Sequence, residues 1–182
     1  MTALSNLLII GGASRNVGKT ELICRLIERV SLTTDLVTLK ISGLNPGNKN
    51  NHGSHGPLPA KYQLIEETSR DGIKDSSRML VAGAGRAFYL RTRDEYLAEA
   101  MENFFRVVDR QSVLICESIT LRKIIRPGLF VIVKDGREDS NKNSLREVLP
   151  FVDLTILSDG RCFNPDPGVI SLSSNGWKIE DH

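Results

Sequence analysis

The consecutive residues Ala13-Ser14-Arg15-Asn16-Val17-Gly18-Lys19-Thr20 have the types and spacing of a phosphate-binding loop, with alanine at the first position and Gly12 just before it. In such a loop successive backbone N–H groups curl around a di- or triphosphate. The helix that begins there turns its positive end toward the same oxygens. Gly18 lets the backbone approach the phosphates, Lys19 reaches the β and γ oxygens as the catalytic cation, and the Thr20 hydroxyl offers a ligand to Mg²⁺. Arg15 either adds charge to the cradle or is an exposed loop arginine.

Such a loop works only between a buried strand and a helix, and the flanking residues have that pattern. Residues 7–10 are a short continuous apolar run, as expected of a strand covered on both faces. From Lys19 onward, Leu22, Ile23, Leu26, Ile27 and Val30 recur at helical spacing. Further strands are expected over 36–41, 87–90, 113–116, 129–133 and 154–157, with an edge strand over 169–172. Helices are expected over 59–69, 76–82, 95–108 and 142–149. The third of these would bury Leu97, Ala100, Met101, Phe104, Phe105 and Val108.

Strands alternating with helices imply right-handed crossovers. The expected fold is therefore α/β, with three layers and a mostly parallel sheet flanked by helices, of the P-loop NTPase type, with ligands at the carboxyl ends of the strands. Residues 1–182 read as a single nucleotide-binding domain, with a long polar loop at about 42–59 that is either a ligand-contacting lid or an insertion. His52 and His55 in that loop either touch a metal or a ligand or are simply solvated.

Composition narrows the partners. The 24 basic and 22 acidic residues leave a formal charge of +2, so charge points to neither a nucleic acid nor an anionic membrane. The cysteines Cys24, Cys116 and Cys162 lack zinc-ligand spacing and read as reduced thiols. The run at 7–10 is too short to span a bilayer, lacks a basic flank and leads straight into the loop, so a cytoplasmic protein is expected.

Several separated segments resemble one family. Lys40 closes the second apolar run; Gly72-Ile73-Lys74-Asp75-Ser76-Ser77-Arg78 is followed by Ala82-Gly83-Ala84; and Glu117-Ser118-Ile119-Thr120-Leu121 precedes Arg126-Pro127-Gly128-Leu129-Phe130. With the loop at 13–20, these resemble the MobB family of molybdopterin-guanine dinucleotide biosynthesis, in the wider group with dethiobiotin synthetase and nucleotide-dependent metallochaperones. The likeness covers most of residues 7–133. It departs after Lys40, where family members carry a histidine-rich stretch and this chain continues Ile41-Ser42.

The resemblance implies roles. Asp75 would approach Mg²⁺ or its water shell, or else cap a helix N-terminus. Glu117 would hold Mg²⁺ through water or orient an attacking water. Lys40 would face the ligand at the carboxyl edge of the sheet, or be solvated. Asp135 would accept from guanine N1 and N2, or belong to a turn in Lys134-Asp135-Gly136. The implied function is Mg²⁺-dependent binding and slow hydrolysis of a nucleoside triphosphate, GTP before ATP, accessory to guanine dinucleotide attachment. Molybdopterin or a cofactor-synthesis enzyme would be the partner, and the chain a homodimer. Two alternatives remain open: an ATP-dependent small-molecule kinase or ligase of dethiobiotin synthetase type, and a nucleotide-dependent protein-binding module.

The loop chemistry makes one expectation directly measurable. Lys19→Ala removes one or two charge-assisted contacts, each worth about 1.5–3 kcal/mol, and should weaken triphosphate binding far more than folding. Unchanged affinity in calorimetry on a folded variant would remove the phosphate-loop reading.

Overall fold

The computed structural model describes residues 1–14, 16–44, 60–136 and 143–180. Its centre is β1 (Thr2–Gly12), which pairs in parallel with β5 (Val113–Glu117) on one side and β6 (Ile125–Lys134) on the other. Beyond β5 lie β2 (Leu36–Gly43), β4 (Arg86–Thr92) and the antiparallel edge strand β3 (Tyr62–Glu67). Beyond β6 lie β7 (Leu154–Ser158), also parallel, and the short antiparallel β8 (Phe163–Asn164). The eight-stranded sheet thus runs β3-β4-β2-β5-β1-β6-β7-β8 and is mixed but mostly parallel.

The period of two along β1 sorts its side chains between two apolar layers. Leu8 and Ile10 pack with Leu22, Ile23, Leu26 and Ile27 of helix α1 (Lys19–Val30) and with Met79 and Leu80 of helix α2 (Asp75–Val81). Leu7 and Ile9 face the other way, toward Leu97, Ala100, Met101 and Phe104 of helix α3 (Leu97–Val107). Leu145, in the single helical turn α4 (Asn143–Arg146), joins that second layer. Helices therefore cover both faces, the expected α/β class.

Four expectations need correction. Residues 59–69 do not form a helix: Tyr62–Glu67 is strand β3, in register with β4 from Tyr62 opposite Thr92 to Glu67 opposite Ala87. Good helix formers there are overridden by pairing, because Tyr62 and Leu64 gain cover from the α3 layer and Glu66 pairs with Arg86 at 2.7 Å. The expected helix at 142–149 is only the turn α4, followed by a 3-10 turn at Leu149–Phe151 that contains Pro150. The expected edge strand at 169–172 does not join the main sheet. It is β9 (Ile170–Ser173), paired antiparallel with β10 (Gly176–Ile179) in a separate ribbon. Trp177 of that ribbon is buried, and its indole N–H donates to the Asn6 carbonyl at 3.0 Å, fixing the ribbon to β1. Phe105, expected in the core, is only partly buried, lying edge-on to Phe104 with ring centroids 5.2 Å apart.

Phe104 is the anchor of the α3 layer: it is fully buried and meets Phe88 edge to face at 5.4 Å. Phe104→Ala should cost about 3–5 kcal/mol, read as a lower urea midpoint at unchanged slope. A loss below about 1 kcal/mol would mean that this layer is not packed as described.

Candidate functional site

At the carboxyl edge of the sheet the layer facing α1 and α2 changes from apolar to charged within one strand repeat. Leu8 and Ile115 sit side by side in β1 and β5; one step on, Ile10 is opposite Glu117, and Glu117 is opposite Lys40 of β2. Lys40 is not the last residue of β2, which continues to Gly43, but it stands level with the end of β5. The register therefore places a lysine and a glutamate next to each other under the N-terminal ends of α1 and α2.

Four segments far apart in sequence meet there. The Thr20 hydroxyl, in the first turn of α1, donates to Glu117 Oε2 at 3.2 Å. Lys40 Nζ lies 3.6 Å from Glu117 Oε1 and forms a closer ion pair with Asp75 Oδ2. Asp75 opens α2 directly after the N-cap residue Lys74, and its carboxylate pairs with Lys40. It stands both at a helix start and beside the Lys40–Glu117 pair. Glu117 is 7% exposed, so its charge depends on Lys40 and Thr20 for compensation.

The electrostatics follow from that packing. Burial alone would lower the Lys40 pKa, but the Glu117 and Asp75 carboxylates outweigh it and hold the ammonium above its ordinary value. Burial would raise the Asp75 carboxyl, but the charge and hydrogen bond of Lys40 bring it below the usual range. Lys19 is lowered, chiefly by burial, with Glu117 pulling the other way.

The turn between β1 and α1 is built around its glycines. A Cβ at Gly12 would lie 2.5 Å from Lys19 Cδ and 2.7 Å from Lys19 Nζ, so only glycine leaves room for Lys19 to fold back over the strand end. Gly18 has φ 83° and precedes α1 with no side chain capping the helix, which leaves its first N–H groups facing the turn. Asn16 is also left-handed, at φ 60°. Ala13 N–H donates to the Val133 carbonyl at 2.9 Å, Val17 is buried, and Lys19 Nζ reaches the Ser14 carbonyl at 3.4 Å. Arg15, His52 and His55 lie outside the described residues, as does most of the 42–59 loop.

Asp135 lies apart from this cluster. With Gly136, Leu157, Ser158, Cys162 and Phe163 it lines a pocket of about 380 Å³ at the ends of β6 and β7. The pocket borders the turn, since a Cβ at Gly18 would be 3.0 Å from Ser158 Oγ and 3.4 Å from the Phe163 ring. Ser158 and Phe163 escaped the sequence reading. Ser158 could have been found as the last residue of a parallel strand, whereas Phe163 carries no local signal. Among the described residues no group of three or more His, Cys, Asp or Glu side chains is placed to hold a metal, and no helix is long and apolar enough to cross a membrane. The three cysteines are free; Cys24 is pushed up to about 11, mainly by burial. Comparisons with protein-family models, curated proteins and solved structures find no match to this chain.

The shifts of Lys40 and Asp75 set a pH window for stability. The contribution of Lys40 is complete below the usual lysine value of 10.5 and is lost as pH rises through its raised folded value. That of Asp75 is complete above 3.8 and is lost as pH falls through its lowered folded value. Lys40→Met should therefore cost roughly 1–3 kcal/mol on the plateau between these limits and flatten the acid limb of the curve, because Asp75 then loses the lowered folded value that creates it. Urea midpoints measured across pH check this; an acid limb of unchanged depth would show that Lys40 does not hold the Asp75 charge.

Proposed function

We propose that the chain binds a nucleoside triphosphate, with Mg²⁺, at the carboxyl edge of β1, β2 and β5 and hydrolyses it slowly, in the manner of a P-loop NTPase. The observation that carries this reading is the meeting of Lys19, Thr20, Lys40, Asp75 and Glu117, from four separate segments, beside an uncapped helix start. The backbone at 13–20 would cradle the phosphates and Lys19, folded back over Gly12, would meet their charge.

The donor set fits Mg²⁺: a hydroxyl from Thr20 and carboxylates from Asp75 and Glu117 converge where a cation, the Lys40 ammonium, already sits. Two carboxylates and a hydroxyl suffice for an ion that keeps several waters. When bound, Mg²⁺ would neutralise charge on the phosphates. Glu117, buried and held by Thr20 and Lys40, is positioned to accept a hydrogen bond from an attacking water. Lys40 would leave the carboxylates and turn its charge to the phosphate side.

The pocket beside Gly18 supports a place for the base. Asp135 in its wall favours a base edge that donates, as guanine N1 and N2 do, so GTP is the proposed nucleotide. The resemblance of residues 7–133 to the MobB family supplies the proposed context, an accessory step in guanine dinucleotide attachment to the molybdenum cofactor, and a homodimer as the working form.

One titration series tests the reading. GTP should bind more tightly than ATP in competition, and binding should strengthen with Mg²⁺. Glu117→Gln and Asp75→Asn should each reduce turnover and Mg²⁺ dependence while leaving metal-free binding largely intact. Equal or better ATP binding removes the guanine assignment. Wild-type turnover and Mg²⁺ dependence in both variants would make the two carboxylates structural.

A further inference from the structure

The phosphate-side turn and the pocket come from opposite ends of the chain, and one side chain joins them. Arg25 stands on α1, the helix that begins at Lys19. Its Nη2 donates to the Arg161 carbonyl at 2.9 Å, and its guanidinium lies 5.0 Å from the centroid of the Phe163 ring. Its Nε donates to Glu21 Oε1 at 3.2 Å, and the other Glu21 oxygen takes a hydrogen bond from Arg78 of α2 at 2.9 Å.

The segment that Arg25 grips is already closed on itself. The Asp159 carboxylate accepts from the Arg161 and Cys162 N–H groups at 2.9 and 2.8 Å, and Ser158 Oγ accepts from Gly160 N–H at 2.9 Å. This turn between β7 and β8 is therefore braced by its own hydrogen bonds, and its Phe163 and Ser158 form both the pocket wall and the surface against Gly18. Beside the contact at Gly18 and the packing of Phe163 against the core layer of α1, Arg25 gives it a directional link to that helix.

We propose that Arg25 is a positioning residue for the nucleoside: by holding the 158–163 turn against α1 it sets the span between the phosphate turn and the base pocket. The inference rests on the nucleotide reading given above. Its ion pair with Glu21 is exposed and of little energetic weight by itself. What matters is shape, because a planar guanidinium can lie on the ring and donate to the carbonyl at the same time, and an ammonium cannot.

The test separates the two halves of the ligand. Calorimetry with Mg²⁺ compares GTP, ATP and inorganic tripolyphosphate, which needs only the phosphate turn, on wild type, Arg25→Ala, Arg25→Lys and Phe163→Ala. Arg25→Ala should weaken the preferred nucleoside triphosphate roughly tenfold and leave tripolyphosphate unchanged. Arg25→Lys should not rescue it, and the Arg25→Ala, Phe163→Ala double variant should lose no more than the weaker single variant, since both act on one wall. Equal weakening of tripolyphosphate, full rescue by lysine, or unchanged nucleotide affinity would each overturn the proposal. If wild type binds neither nucleotide nor tripolyphosphate, the nucleotide reading itself fails, and this inference with it.

Discussion

A single ammonium group is shared by two carboxylates at the edge of the sheet, and the positions of four elements depend on it. Lys40 belongs to β2, Glu117 to β5 and Asp75 to α2, while Thr20 of α1 donates a hydrogen bond to Glu117. Two anions at this depth repel each other and lack bulk water, so α2 can approach the sheet here only with a cation between them. The apolar layer beneath, from Leu8 and Ile115 to Met79 and Leu80, supplies the attraction, and the charged layer fixes where the helices stop.

That arrangement bears on how the proposed site could take up a metal. Lys40 pairs with both Asp75 and Glu117 from within the chain. Under the proposed function, a metal arriving with a triphosphate brings compensating anions of its own, which give the displaced ammonium a new partner. The exchange conserves charge pairing at every stage, which a site of carboxylates alone could not do.

Much of this was legible in the sequence because it was encoded locally. The run at 7–10, the glycines at 12 and 18 and the stripe from Leu22 to Val30 each state their conformation within a few residues, and β1 and α1 follow. Glu117 at the end of an apolar run was readable for the same reason. What escaped depends on distant partners. Tyr62–Glu67 is a strand because β4 lies beside it, and β9 leaves the main sheet because β10 and the Asn6 carbonyl capture it. The Lys40 to Asp75 pairing was not expected at all, since no spacing connects a strand residue with a helix start across an intervening edge strand. Arg25 and Phe163 carried no signal at all: a helix-surface arginine and a lone aromatic acquire meaning only when their contact is seen.

The central place of β1 also has a consequence for how the chain comes to be. Leu7 lies opposite Leu114, and Ile9 opposite Phe130, so both sheet neighbours of β1 come from more than a hundred residues further along the chain. Contacts of such long sequence separation form late and make folding slow. During synthesis β1 emerges before both of its partners and waits for them, with α1 able to shield only one of its faces. The turn at 13–20 is thus made well before it is framed, and a ribosome-bound fragment ending before Val113 would carry that motif without the sheet that gives it shape.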